Sequence, residues 1–358
     1  MQRIVIVILV TLSFQACAQE NVILEKPTLD KRVELLSIVF RLAEKREYSS
    51  KQFKLYTDRI EQHFEKYKNH ELIQFTKSIV NKNYVSYDAV MAMAIHLDNN
   101  MKLLPDVKDV WQRDTRWTKE NAEKFIPLLQ QFVKDTKFDD FFKDNVDLYA
   151  ETVKRFTPVY EQLDLKWYRT FYGKEPSEKF LIIMGLGNGG NCYGPSLDYL
   201  NGNRNVYAIL GVWSTDSTGM PVFDTSYFQI LLHEFNHSFV NYLTEKNKDS
   251  FRESGEKIFS VNQTQYSGSW ETVLNEALVR AAVIKYVKDH HSNQSTIDDL
   301  IKQEKDNGFL WIEELIDELE SYDKQRDKYP TLESYMPKLI ETYKIWSEKM
   351  QNFKTEKK

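Results

Sequence analysis

Between Asp30 and Tyr172 apolar residues return at the three- and four-residue spacing of amphipathic helices. The segment Val33-Glu34-Leu35-Leu36-Ser37-Ile38-Val39-Phe40-Arg41-Leu42 shows it first, and the stretches 51–68, 84–97, 118–134 and 139–165 repeat it without a fixed repeat length. The pattern then changes. Phe180-Leu181-Ile182-Ile183-Met184 is a short continuous apolar run closed by Gly185, and Asn205 to Trp213 is a second run of strand-forming residues. Both are expected to be strands of one small sheet. After a turn-rich piece from Ser214 to Pro221, Tyr227 to Leu243 resumes the helical period, with Ser226 and Gln229 spaced as a capping box. A further helix is expected from just after Ser269 to Lys288, and Ser295 to Lys354 again reads as helix with charged outer faces. The expected fold class is α+β and predominantly helical, with a helical N-terminal region, 19–175, ahead of a second region, 176–358, that holds the sheet.

The N-terminus follows another logic. Arg3 is the only charge before Glu20, and Ile4 to Leu12 form an apolar run too short for a hydrocarbon core that needs about 20 residues. Residues 1–18 read as a secretory signal peptide, with Ala16-Cys17-Ala18 fitting the small-x-small rule of cleavage. Alternatively Cys17 carries a lipid anchor, although Phe14 and Gln15 fit poorly before it. Either way no transmembrane segment is expected, and the mature chain acts outside the cytoplasm as a secreted, periplasmic or outer-membrane lipoprotein.

Composition narrows the function classes. The 358 residues are 42% hydrophobic and 28% charged, and 48 Lys+Arg against 53 Asp+Glu give a net charge of −5 without long single-sign blocks. That distribution carries no footprint for nucleic acid, so none is expected as a partner. Only 2 Cys exclude a disulfide scaffold, and 12 Gly with 9 Pro are few for a many-turned all-β chain. Five of those glycines, Gly185, Gly187, Gly189, Gly190 and Gly194, crowd into ten residues. They formally match the dinucleotide-binding pattern, but no helix N-terminus follows to hold a pyrophosphate and the next strand ends without an acid for a ribose. A tight surface or cleft-lining loop is the expectation.

The chemistry lies on two helices. His233-Glu234-Phe235-Asn236-His237 is an HExxH motif, for which the chain's own composition gives fewer than roughly 0.02 chance matches. Residues four apart share one helix face, so both imidazoles can bind one Zn²⁺ while Glu234 reaches the reacting water as general base. A catalytic zinc needs a third protein ligand, and no histidine follows His237 before His290. The second helix offers Glu271 and Glu276, about 140° apart around its axis, so one must be chosen. Glu271 sits in the first turn, where the helix dipole favours an acid anyway. Glu276 lies mid-helix on the stripe Val273, Ala277, Arg280, Ala281, Ile284, where an acid is expected only if it binds something. An ion pair with Arg280 is the plain alternative, and Arg280 could also orient Glu276 as a ligand.

HEFNH followed by Trp270…Leu274-Asn275-Glu276-Ala277 resembles the gluzincin zinc metallopeptidases, and among them uncharacterised secreted bacterial zincin-like proteins. The resemblance covers about residues 180–285 and not the N-terminal helices. It implies a zincin-like catalytic core of a small mixed sheet beside an active-site helix. It further implies His233, His237 and Glu276 as ligands, Glu234 as base, Zn²⁺ as cofactor and a peptide or protein as substrate. The edge strand of that sheet, expected at Asn205–Trp213, would bind the peptide by strand addition. Two departures stand out: Arg280 replaces the acid that thermolysin-like enzymes place four residues after the ligand glutamate, and no Gly-x-Met-Glu-Asn stretch of the aminopeptidases occurs. Tyr329 and Tyr335 are candidates for stabilising an oxyanion by location only. Competing readings are a zinc-holding binding or scaffold protein without turnover, and, more weakly, glycan binding through the 13% aromatic residues.

Overall fold

A computed structural model describes residues 25–174, 178–261, 269–290 and 293–356, with side chains as far as Met350. The signal-peptide expectation for 1–18 and the anchor at Cys17 lie outside the described residues. The described residues open with β1 (Thr28–Leu29) and continue through α1 (Lys31–Leu42), α2 (Lys54–Phe64), α3 (Glu71–Asn83), α4 (Asp88–Ile95) and α5 (Val110–Arg113). Next come α6 (Lys119–Thr136), α7 (Phe138–Asp144), α8 (Val146–Tyr160) and α9 (Leu165–Tyr172). The strands β2 (Lys179–Met184), β3 (Ser196–Asp198) and β4 (Arg204–Leu210) follow. The remainder is α10 (Thr225–Lys246), α11 (Lys248–Val261), α12 (Trp270–His290), α13 (Gln294–Asp306), α14 (Ile312–Asp323) and α15 (Leu332–Glu356). The fold is therefore α+β and predominantly helical, with a small mixed sheet. No helix among the described residues is long and apolar enough to cross a membrane.

The sheet order is β1-β2-β4-β3, with β1, β2 and β4 parallel and β3 antiparallel to β4. This corrects the expectation that Asn205–Trp213 is the edge strand. β4 is internal, and its far side is taken by the end of the glycine-rich segment. Tyr193 exchanges both backbone hydrogen bonds with Ile209, Pro195 accepts from Tyr207 N, and Ser196–Asp198 completes the ladder. Burial accounts for the arrangement: Val206 to Leu210 are all buried, which suits a central strand whose faces are both covered.

Two local readings also change. The stretch 139–165 is not one helix. Asn145 interrupts it, its side-chain amide donating to Phe141 O at 2.7 Å and competing with the helical ladder, and Asp164 then starts α9 by accepting from Lys166 N at 2.8 Å. α10 begins before the expected Ser226–Gln229 box, because the Asp224 carboxylate already caps it by accepting from Ser226 N at 2.9 Å.

The motif helix is fixed from both sides. Leu231, Leu232, Phe235, Phe239 and Val240 are buried, the Tyr172 ring stacks on Phe239 at 4.4 Å, and Tyr168 meets Phe235 edge-on at 4.6 Å. Tyr172 donates a buried hydrogen bond of 2.6 Å to Asn236 Oδ1, so the polar residue inside the motif is satisfied rather than stranded. α12 packs along α10 with Val273, Ala277, Ala281 and Ile284 inward, and Asn275 Nδ2 ties the two helices by donating to Thr244 Oγ1 at 2.8 Å.

Candidate metal centre

α10 and α12 bring three side chains to one point. His233 Nε2 and His237 Nε2 lie 3.2 Å apart, and Glu276 Oε2 and Oε1 lie 3.5 and 3.4 Å from them respectively. A tetrahedral Zn²⁺ with ligand bonds of about 2.0–2.1 Å has ligand-to-ligand edges of about 3.3–3.4 Å. The three separations are of that size, the two from Glu276 running from different oxygens of its carboxylate, and two imidazoles with a carboxylate are a donor set zinc accepts. Among the described residues this is the group of three or more His, Cys, Asp or Glu side chains arranged to hold a metal ion. The side chains remain 19, 18 and 12% exposed, so the fourth direction opens to the surface.

The surroundings orient each of these groups. His237 Nδ1 faces Asn241 Oδ1 at 2.9 Å, so Nδ1 donates there and Nε2 is the nitrogen turned toward the centre. Arg280 Nη2 donates to Glu276 Oε2 at 3.3 Å while its Nη1 donates to both oxygens of Glu304 on α13, at 2.9 and 2.8 Å. The ion pair and the ligand geometry thus coexist at Glu276. Glu271, one and a half turns earlier, pairs instead with Lys248 at 3.2 Å, and Ser269 Oγ accepts from Thr272 N at the helix start.

Electrostatics favour positive charge at the centre of the triad. Burial pushes the Glu276 carboxyl up, but the hydrogen bond from His237 and the charges of His233, His237 and Arg280 outweigh it and hold the pKa down at about 2. Burial and the neighbouring His237 depress His233, whereas at His237 the carboxylates of Glu276 and Glu234 overcome burial and raise it. Glu234 makes no such pair. Its burial raises the carboxyl to about 6 against the opposing charge of His237.

The glycine-rich segment closes over Glu234, as a cleft-lining loop would. Leu186 N donates to the buried Glu34 Oε1 at 2.7 Å and Ser37 Oγ donates to Asn188 Oδ1 at 2.7 Å, which pins the first turn to α1. The chain then crosses Gly211 so closely that a β-carbon there would lie 2.2 Å from Gly189 O. At Gly194 a β-carbon would lie 2.0 Å from Glu234 Oε2, so a larger residue there would displace the carboxylate from this position. Clefts of about 520 and 540 Å³ meet at Cys192, His233 and Glu234, and a third of about 740 Å³ continues past His237 and Glu276. The triad therefore sits midway along a groove. Burial pushes the Cys192 thiol in its wall up to about 12, so it is a neutral thiol.

Tyr335 and Tyr329 are placed elsewhere. Tyr335 is buried, donates to Glu318 Oε1 at 2.5 Å and packs edge-on against Tyr329, and neither lines these clefts. Sequence reasoning missed Asn241 and the contact of Gly194 with Glu234. The first had a readable signal, an amide four residues after the second histidine. The second had none, because a contact made across 40 positions leaves no local pattern.

Residues 25–342 match the family described as Domain of unknown function (DUF4932), and the chain belongs to that family. No curated protein and no solved structure matches it.

Proposed function

We propose that this member of the DUF4932 family is a zinc-dependent hydrolase of the gluzincin kind, cleaving peptide bonds outside the cytoplasm. The observation that carries the reading is the convergence of His233, His237 and Glu276 on one point, with polar atoms 3.2 to 3.5 Å apart, open on the side where Glu234 stands. A mixed sheet with an antiparallel outer strand beside the motif helix supports a zincin-like core. The extracytoplasmic setting rests on the apolar run Ile4 to Leu12 and the site at Ala16-Cys17-Ala18.

The three residues would hold the ion, which when bound supplies Lewis acidity that polarises a carbonyl and eases deprotonation of water. Glu234 does the proton work. As a carboxylate in a largely buried position it accepts a proton from the attacking water and returns it to the leaving amine. The outer edge positions the substrate. The ladder turns the polar groups of Tyr193 and Pro195 toward β4, so by strand alternation those of Gly194 and Ser196 face the groove, available to an extended peptide. Strand addition thus fits residues 193–196 rather than Asn205–Trp213, since beyond them Asp198 O already accepts from Lys108 N at 2.8 Å.

The test is metal content followed by turnover. Purified protein should carry about one Zn²⁺ per chain and lose it in His233→Ala or His237→Ala. Glu234→Gln should keep the metal and cleave a diverse peptide library about 10²–10⁴-fold more slowly. Absence of zinc after reconstitution, or equal cleavage by Glu234→Gln and the parent protein, would overturn the assignment.

A further inference from the structure

The groove beyond the triad is chemically uneven. On the His237 and Glu276 side its wall carries Arg113, the last residue of α5, and Arg204, the first of β4. Both guanidinium groups converge on one hydroxyl. Arg113 Nη2 donates to Ser196 Oγ at 3.1 Å and Arg204 Nη2 at 2.9 Å. Two accepted bonds occupy both lone pairs of a serine oxygen, which leaves its proton as the group still to be given. Ser196 lines the same cleft, so that proton is available to an acceptor in the groove.

The counter-charges lie beneath. Asp198 sits 3.0 Å from Arg113 Nη1 and 3.3 Å from Arg204 Nε, and its side chain is 14% exposed against 34 and 27% for the two arginines. Glu178, the other acid near Arg204, is 3.4 Å from Nη1 and 8% exposed. Asp88 and Asp114, which share the cleft, are both engaged by Arg116, at 2.8 and 2.5 Å. Both arginines are thus more exposed to the groove than the acids that fix them, and the other acids along this part of the wall are Glu276 of the triad, Glu271, which pairs with Lys248, and Glu245.

We infer that Arg113, Arg204 and Ser196 form an anion subsite that holds a carboxylate of the peptide substrate, either an acidic side chain or the C-terminal carboxylate. The inference rests on the peptidase reading above and adds a substrate class to it. Its position along the edge is defined. Ser196 is two residues from Gly194, and a strand advances about 3.4 Å per residue, so the carboxylate belongs within about two residues of the bond facing Glu234. The Ser196 proton is the group given to the carboxylate, while the two guanidinium groups, engaged with Ser196, Asp198 and Glu178, polarise that hydroxyl and supply adjacent positive charge.

Binding to zinc-loaded Glu234→Gln protein tests the subsite independently of turnover. The probes are fluorescently labelled hexapeptides in two matched pairs, one differing by an internal Glu against Gln and one by a free C-terminus against its amide. One pair should show at least about tenfold tighter binding of the acid, as expected for a charge-assisted contact, and the pair that does so identifies the source of the carboxylate. Adding Ser196→Ala or Arg113→Gln should bring that ratio to about one with zinc content unchanged. Equal binding of acid and neutral members in both pairs, or a ratio that survives both substitutions, overturns the subsite alone. Failure to bind any peptide, acidic or neutral, overturns the peptidase reading and the subsite with it.

Discussion

Asn241 Oδ1 lies 2.9 Å from His237 Nδ1, one helical turn beyond the histidine it faces. An imidazole held in this way cannot rotate or change tautomer without losing a partner, so the amide fixes which nitrogen is offered to the centre. Replacing Asn241 by Ala should weaken zinc binding by about 10–100-fold while His233 and Glu276 stay in place. Competition with a chromogenic chelator measures this, and an unchanged affinity would show that the amide plays no orienting part.

The two acids of α12 should separate cleanly. Glu276→Gln removes a charge 3.4 and 3.5 Å from the two imidazoles and should lower metal retention, whereas Glu271→Gln breaks only a pair with Lys248 and should leave it nearly intact. Zinc content after dialysis against a weak chelator ranks the two variants. The reverse order would mean that Glu276 serves only its ion pair with Arg280.

Gly194→Ala places a methyl 2.0 Å from Glu234 Oε2, a contact that the glutamate relieves by swinging away from its position beside the triad. Hydrolysis should fall toward the level of Glu234→Gln, about 10²–10⁴-fold, with zinc content and helical circular dichroism retained. Full activity in the alanine variant would place the working position of Glu234 elsewhere.

Glu34 supplies a pH signature remote from the triad. Burial raises its carboxyl to about 7 despite the donated bonds of Tyr56, Leu186 and Gly187. A raised acid binds its proton more tightly when folded, so its contribution is fully present below the unfolded value near 4.5 and declines as pH rises toward 7. The loss amounts to roughly 3 kcal/mol over that window. Glu34→Gln lacks this titration, so urea unfolding at pH 5 and pH 7.5 should show the variant gaining on the parent protein by that order. Parallel pH dependences would rule the assignment out.

The triad was legible in the sequence because its geometry is local. Spacing by four sets His233 and His237 on one face, and an acid on an otherwise apolar stripe singles out Glu276. Strand order was not legible, because β3 has only three residues and directly follows the glycine-rich segment, leaving no alternation to read. α11 escaped for a different reason: Lys248-Asp249-Ser250-Phe251-Arg252-Glu253-Ser254-Gly255 is charged and carries a mid-helix glycine. That glycine is required by packing, since a β-carbon on Gly255 would lie 2.3 Å from the Trp270 ring. Helix breaks at Asn145 and the cap at Asp224 turn on single side-chain hydrogen bonds, which hydrophobic periodicity does not record.

The pairing of β1 with β2 bears on how the molecule is assembled. Thr28 meets Ile183 in a parallel pair, and Glu34 accepts from Leu186 although 152 positions separate them. Contacts of such sequence separation close late, after the entropy of a long intervening loop has been overcome. A chain synthesised from its N-terminus presents α1 first, and the segment 185–194 then takes its shape against a surface already present. Glu234 is consequently framed by a loop that is itself held by residues from near the other end of the described chain, so the walls around the triad depend on a contact spanning 152 positions.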